Sequence, residues 1–365
     1  MKLAFLDLGR QTAGLRGEIE AAMGRVLDRS RYVLDEEVEA FEREYAAFCG
    51  ARFAIGVGNG TEALEIALRA CGVGPSHQVI TTPLTAPFTA LAILAAGATP
   101  VFADVDPETL LLDPAAAARK ITRHTRAIIP VHLYGRVADL RAFGEIAARH
   151  QLEIIQDACQ AHGATFDGQP LAHWSRWVAY SFYPTKNLGA LGDGGALVTN
   201  DRALDRAARL LRAGGVKSCA VSQFPALNSR LDEMQAAILR AKLPHLAEWN
   251  RRRRRLAACY AGRIGPLVGG FGPQGEHVFH LYVIRSRRRS ALRQLLFRAG
   301  IGTSIHYPQP LHLQPAFGRP GAVPRGTLPE AERACKEILS LPLHPEMEEA
   351  EVEEVCAAVG AFSRR

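Results

Sequence analysis

Apolar residues recur along the chain with two alternating periods. Between Glu36 and Phe48 they stand at Val38, Phe41, Tyr45 and Phe48, spaced three, four and three apart, within a region over 15–49 that reads as helical. A short strand-like run over 54–57 meets the turn Gly58-Asn59-Gly60-Thr61. A helix over 62–71 follows, with Leu64, Ala67, Leu68 and Cys71 on one side, and Gly72, Gly74 and Pro75 stop it. The alternation continues as a strand over 78–82, a helix over 86–96 and a strand over 100–103. It resumes as a strand over 128–133, a helix over 140–150 and a strand over 153–157. Strands and helices at this spacing predict an α/β layer around a largely parallel sheet. In such sheets ligands collect beyond the carboxyl ends of the strands.

After Asp201 the pattern changes. Helices over 201–213 and 231–262, the second broken at Pro244, flank an irregular connection over 214–230. From about Gly270 a smaller α+β section reads as a strand over 280–285, a helix over 290–299 and a strand over 303–307. A proline- and glycine-rich loop over 308–329 and helices over 330–339 and 348–362 complete it. The expected division is a large domain over 1–250 and a small C-terminal domain over 251–365.

Composition narrows the class. The chain has 365 residues, 48% of them hydrophobic, ample for a buried core. No apolar run reaches about 18 residues, so no membrane span is expected, and the N-terminus does not read as a signal peptide. Seven cysteines, an odd count without a Cys-x-x-Cys pair, suggest a reduced cytoplasmic protein with free thiols and no metal site. Much of the net charge of +7 sits in Arg251 to Arg255 and in Arg285, Arg287, Arg288 and Arg289. Consecutive arginines on a helix point in all directions and read as solvated faces with packed stems, or as attraction for an anionic substrate. No nucleic-acid-binding pattern accompanies them, so no nucleic acid partner is expected.

One stretch carries candidate chemistry: Ser181-Phe182-Tyr183-Pro184-Thr185-Lys186-Asn187-Leu188-Gly189, followed by Gly192-Asp193-Gly194-Gly195. A lysine held among apolar groups has a depressed pKa and becomes a nucleophile, which points to a Schiff base between Lys186 and pyridoxal phosphate (PLP). A surface lysine in a polar loop is the other reading. The strand, glycine turn and helix start around Gly60 and Thr61 form a candidate phosphate cradle, because a helix N-terminus offers free N–H groups; an ordinary strand-to-helix connection has the same form. It matches neither the dinucleotide fingerprint nor the Walker loop. Asp157, leaving an apolar strand, needs a partner: a protonated pyridine nitrogen or a helix N-terminus that it caps. Gln160 could reach a ring hydroxyl. His162 reads as a packed residue rather than a catalyst.

Together these motifs resemble the DegT/DnrJ/EryC1/StrS family of sugar aminotransferases, PLP enzymes of fold type I. The resemblance covers nearly the whole chain. It rests on Phe5 to Gln11, Val57 to Leu64, Pro130 to Gly135, Asp157 to Gly163, Ser181 to Asn187, Gly192 to Gly195 and Asn228 to Ala237. It implies an aspartate-aminotransferase-like large domain with a mixed, mostly parallel seven-stranded sheet, and the smaller C-terminal α+β domain. It makes Lys186 the Schiff-base lysine and acid–base, sets Asp157 against the pyridine nitrogen and places Gln160 near the ring hydroxyl. Gly60, Thr61 and Ser181 would bind the cofactor phosphate. Asn228 would reach the cofactor of a neighbouring subunit, which implies a homodimer with shared sites. His306 and Tyr307, with Arg230, would line the substrate side.

The implied reaction is transamination, with PLP passing through its pyridoxamine form. Glutamate or glutamine would donate, and a TDP-linked keto-deoxysugar would accept, favoured at C3, in amino-sugar or antibiotic biosynthesis. A 4-keto sugar or a keto-cyclitol such as scyllo-inosose is the alternative acceptor, and a regulatory protein on the same fold the non-enzymatic alternative. Three positions depart from the family. Ala86 stands where an aromatic residue stacks on the pyridine ring, leaving Phe88 as the candidate for that role. Ser175-Arg176 replaces Gly-Asp, a change expected to bear on the dimer surface or the substrate entrance. Leu211 to Gly215 lacks the usual Asn-Tyr type residues.

Overall fold

The computed structural model describes residues 2–216, 221–268, 277–317 and 323–363. Cys219 and parts of the connections over 214–230 and 308–329 lie outside the described residues.

Helices α1 (Leu8–Arg29) and α2 (Glu36–Phe48) precede strand β1 (Phe53–Val57). Then α3 (Gly60–Ala70), β2 (Gln78–Thr81), α4 (Phe88–Ala95), β3 (Thr99–Phe102), α5 (Pro114–Ala118), β4 (Thr125–Ile129), α6 (Leu140–His150) and β5 (Glu153–Asp157) alternate. A small hairpin of β6 (Thr165–Phe166) and β7 (Gln169–Pro170) leads to β8 (Trp177–Ser181) and β9 (Gly195–Thr199). The remainder comprises α7 (Arg202–Arg212), α8 (Glu233–Lys242), α9 (Leu246–Val268), β10 (Tyr282–Arg285), α10 (Arg289–Arg298), α11 (Pro329–Glu337), β11 (Ile338–Leu341) and α12 (Glu349–Ser363).

Seven strands make one sheet in the order β1-β9-β8-β5-β4-β2-β3. Within it β9 runs against the others, giving the mixed, mostly parallel sheet of a fold type I α/β protein. Alternation along each strand divides the side chains between two layers. Trp177 and Ala179 join Ile55, Ile155 and Leu197 beneath α3, α4 and α7. Val178 and Tyr180 join Ala54, Ala196 and Val198 beneath α1, α2 and α8. Both faces are covered, which is why β8 reads as a nearly continuous apolar run. Side chains such as Phe41, Phe182 and Ile55 are fully buried, each contributing about 2–3 kcal/mol relative to exposure.

The second sheet pairs β10 with β11 antiparallel, Tyr282 opposite Leu341. Here the structure differs from the expected helix over 330–339. The helix ends at Glu337, and Ile338 to Leu341 turn into a buried strand because β10 supplies the ladder. The expected strand over 303–307 is reduced to a single bridge, Ser304 to Ser340. Pro244 acts as anticipated: α8 ends at Lys242, a 3-10 turn covers Leu243–His245, and α9 begins at Leu246. Leu246 and Trp249 of α9 belong to the core beneath the seven-stranded sheet, while Leu256, Tyr260 and Ile264 pack with α12 and β10. One continuous helix therefore joins the two parts across position 250. Its Arg253 is buried rather than solvated, with Nη1 donating to the carbonyls of Phe279, His280 and Leu343.

Ser175-Arg176 sits at the amino-terminal end of β8. Arg176 bridges Glu153, which opens β5, at 2.8 Å and Asp201, which caps α7, at 3.0 Å. Ser175 Oγ accepts from Gln156 Nε2 at 2.7 Å and donates to the Trp177 carbonyl at 2.8 Å. The pair ties strand starts together at the sheet edge opposite the cavity described next, so it does not form a substrate entrance.

Candidate active site

Strands β1, β2, β5 and β8 run in the same direction, so the loops after Val57, Thr81, Asp157 and Ser181 emerge at one edge of the sheet. Between them and the segments around His280 and His306 lies an open cavity of about 890 Å³. That volume suits a cofactor together with part of a second ligand.

Lys186 stands in the loop between β8 and β9, where its backbone N–H donates to the Tyr183 carbonyl at 2.9 Å. The loop turns so sharply that a Cβ on Gly189 would lie 2.4 Å from the Pro184 carbonyl oxygen, so glycine is required there. Buried Lys242 fastens the turn by donating from Nζ to the Gly189 carbonyl at 2.8 Å. Half-buried Lys186 lines the cavity. Burial lowers its pKa, against the pull of Cys159 and Asp157. An amine in this setting is readier to act as a nucleophile than a surface lysine.

Asp157, only 5% exposed, ends β5. Its Oδ2 accepts from Thr89 Oγ1 at 2.7 Å and its Oδ1 from the Cys159 N–H at 3.2 Å, and the side chain opens on the cavity. The carboxylate thus caps the turn after its own strand and still faces a ligand. Gln160 is oriented by its neighbours. Its Oε1 accepts from the Tyr134 N–H at 2.6 Å, so Nε2 must donate to Tyr307 Oη, 3.2 Å away. Tyr134 OH in turn donates to the His306 carbonyl. Burial pushes the Tyr307 phenol up to about 12, so it is a neutral hydroxyl at ordinary pH. His162 is a packed strut: Nε2 donates to the Ser181 carbonyl at 2.9 Å and Nδ1 accepts from Tyr45 OH at 2.8 Å. Burial pushes its pKa down to about 3.

The candidate phosphate cradle is the start of α3. Asn59 Oδ1 accepts from the Glu62 N–H at 2.9 Å, which satisfies the third amide of the helix. Among the described residues the amides of Gly60 and Thr61 have no chain partner, and both residues line the cavity beside Ser181. A Cβ on Gly60 would come within 2.8 Å of both Ser181 Cβ and Cys159 Sγ. The helix end therefore reaches β8 closely only because residue 60 is glycine. Gly60→Ala is expected to push this helix end away and weaken cofactor phosphate binding about tenfold, measured as the Kd of PLP.

The donor set fits PLP: a helix N-terminus whose first two amides have no chain partner among the described residues, with a neighbouring hydroxyl, for a phosphate, a buried carboxylate for a ring nitrogen, an amide for a ring oxygen, and a lysine of lowered pKa. The cavity brings together Gly60, Thr61, Asp157, Gln160, Ser181, Lys186, His306 and Tyr307. Phe88 lies at its rim, 58% exposed, and Ala86 in its wall. Asn228 and Arg230 are exposed and do not line it, although Ser229 between them accepts from the Gly58 N–H at 3.0 Å and donates to Glu62. Sequence reasoning missed Thr89, Tyr134 and His280. Thr89 sits inside an otherwise apolar helix start, a polar exception that marks it only in retrospect.

The model of the DegT/DnrJ/EryC1/StrS aminotransferase family matches residues 14–360. A Geobacillus stearothermophilus relative described as a pleiotropic regulatory protein is 45% identical, covering 100% of this chain and 99% of its own. A Streptomyces venezuelae relative described as a dTDP-3-amino-3,4,6-trideoxy-alpha-D-glucose transaminase is also 45% identical, covering 100% and 97%. Among solved structures, S. venezuelae DesV in complex with a ketimine intermediate superposes with a TM-score of 0.96 at 44% identity, covering 100% of this chain and 99% of that one. With the cavity, its lysine and its aspartate in place, the chain belongs to the DegT/DnrJ/EryC1/StrS aminotransferase family, whose cofactor is PLP.

Proposed function

We propose that this protein transfers an amino group from glutamate or glutamine to a TDP-linked keto-deoxysugar, at C3, as a step in amino-sugar or antibiotic biosynthesis. The observation that carries the reading is the convergence of Lys186, Asp157 and the unpartnered Gly60 and Thr61 amides at the start of α3 on one cavity. The 3-amino sugar in the name of the Streptomyces relative supports C3. PLP, when bound, supplies an electron sink that acidifies the carbon bearing the transferred nitrogen. Lys186 would bind the cofactor and move the proton. Asp157 would hold a proton on the ring nitrogen and Gln160 would face the ring hydroxyl. Gly60, Thr61 and Ser181 would bind the phosphate. His306 and Tyr307 would line the sugar side, with Phe88 at the rim.

The protein is read as a cytoplasmic homodimer. Asn228 and Arg230, exposed and outside their own cavity, would serve the partner's site. Exposed Phe88 and Tyr183 at the cavity mouth, with Leu91 and Leu191 nearby in sequence, offer apolar surface for such a partner. The six described cysteines are free, and no helix among the described residues is long and apolar enough to cross a membrane.

The test is turnover with PLP, glutamate and a panel of a TDP-3-keto-deoxysugar, a TDP-4-keto-deoxysugar and a keto-cyclitol. The 3-keto sugar is expected to lead in kcat/KM by about tenfold or more. A protein that takes up no PLP, or that aminates only the cyclitol, would end this reading. A regulator on the same fold would bind PLP without turnover of any member of the panel.

A further inference from the structure

The turn over 131–138 holds parts of the cavity wall together. In it Tyr134 stands at φ 62° and ψ 4°, a left-handed conformation that a bulky residue rarely adopts. Such a residue persists where its surroundings over-determine it, and all three polar groups of Tyr134 are engaged. Its N–H donates to Gln160 Oε1 at 2.6 Å, its carbonyl accepts from the Leu281 N–H at 3.3 Å, and its hydroxyl donates to the His306 carbonyl. Gln160, Leu281 and His306 each line the cavity, whereas Tyr134, only 4% exposed, is not part of its lining.

These contacts close a ring. Gln160 Nε2 donates to Tyr307 Oη at 3.2 Å, and Tyr307 directly follows the residue whose carbonyl takes the Tyr134 hydroxyl. The ring joins two parts of the molecule. Gln160 follows β5 of the large sheet, while Leu281 precedes β10 and His306 Nδ1 is 2.9 Å from Ser340 Oγ of β11. Gly135 lets the segments approach: a Cβ there would lie 2.9 Å from the His280 N and 3.0 Å from the Gln160 carbonyl oxygen. The turn is braced against β5. His132 Nδ1 accepts from the Ala138 N–H at 3.1 Å, so its Nε2 carries the proton and donates to Gln156 Oε1 at 2.9 Å. Burial pushes the Tyr134 phenol well above its ordinary range, so it stays a donor.

We propose that Tyr134 is a positioning residue for the acceptor side of the cavity, its hydroxyl holding the His306–Tyr307 segment at a fixed distance from Gln160. One residue outside the cavity thereby sets the spacing between the amide that faces the cofactor ring and the wall that faces the acceptor. This rests on the functional reading that gives Gln160 and the His306–Tyr307 segment those roles, and the test separates the two.

Tyr134→Phe keeps the ring in the cluster against which Ile305 and Tyr307 pack, and keeps both backbone hydrogen bonds, but takes the donor from the His306 carbonyl. In cofactor-free protein, amide hydrogen exchange over 303–309 is expected to quicken about tenfold while 153–160 keeps its protection. In the holoenzyme, KM for the acceptor is expected to rise about tenfold, with the Kd of PLP changed by less than about twofold. Combined with Tyr307→Phe, which opens the same ring at Gln160, the rise in KM is expected to fall short of the product of the two single effects. Unchanged exchange over 303–309, an unchanged acceptor KM, or equal weakening of PLP and acceptor overturns the proposal, and so does a full product in the double variant. A wild-type protein that turns over no acceptor ends the functional reading, and the exchange measurement then decides the role of Tyr134 alone. Where the variant fails to fold, NMR of the wild-type protein in mixed light and heavy water decides. A slowly exchanging hydroxyl, seen as an isotope-split ¹³Cζ line of Tyr134, is expected, and a single averaged line overturns the proposal.

Discussion

Lys186→Ala is expected to lower amino transfer from glutamate by about 10⁴-fold or more, since one residue supplies both the covalent link and the acid–base. The fold should survive. The lysine is half-buried at ordinary cost to its charged form, as the direction of its pKa shows, and its backbone turn is held by Gly189, Lys242 and the Tyr183 carbonyl rather than by its own side chain. Thermal denaturation should therefore show a melting temperature no lower than that of the wild-type protein. The visible absorption that PLP gains on joining Lys186 should vanish, while phosphate-dependent binding at Gly60 and Thr61 persists. A variant that turns over at a tenth of the normal rate would remove Lys186 from the chemistry.

Asp157→Asn should be the second most damaging change, with a loss of about 10³-fold in the rate of the half-reaction with glutamate, roughly 4 kcal/mol of transition-state stabilisation. The argument is electrostatic. Asparagine keeps the size of the side chain, and with Oδ1 accepting from the Cys159 N–H its Nδ2 can donate to Thr89 Oγ1, so the turn after β5 should close as before. It cannot carry the negative charge that keeps a pyridine nitrogen protonated. Single-turnover spectra would show cofactor bound with normal affinity but converted slowly to its amino form. A near-normal rate in this variant would mean that the buried carboxylate serves only to cap its own turn.

Both expectations start from residues legible in the primary structure. Lys186 stood out because a lysine between an apolar strand and a glycine cluster has little structural reason to be there. Asp157 stood out because it leaves a buried strand. Their companions were not legible. Thr89 lies 68 positions from the carboxylate it orients, and its helix start reads as plain apolar packing. His280 lies 93 positions from Asn187, and Tyr134 lies 172 from the His306 carbonyl. As a candidate for the substrate entrance, Ser175-Arg176 misled for the opposite reason. As a departure from a motif near the lysine strand it looked functional, yet it opens β8 and so projects from the far end of the sheet, where Glu153 and Asp201 take up its charge. The helix expected over 330–339 failed at its last residues because a short apolar run has no period of its own, and β10 made it a strand.

The sequence by itself determined the alternation of strand and helix, the break at Pro244, the glycine turns and the position of a lysine and an aspartate just beyond strand ends. These follow from local periodicity and from the conformations that proline and glycine permit or refuse. The strand order β1-β9-β8-β5-β4-β2-β3 belonged to the tertiary structure alone, and that order decides which loops become neighbours. Only after β8 lies between β9 and β5 do Ser181, Gly60, Asp157 and Lys186 share one cavity, and only then does His280 meet Asn187. Local patterns record what each segment does alone; strand order and long-range hydrogen bonds are set by burying all the apolar faces at once, and no short window of sequence contains that condition.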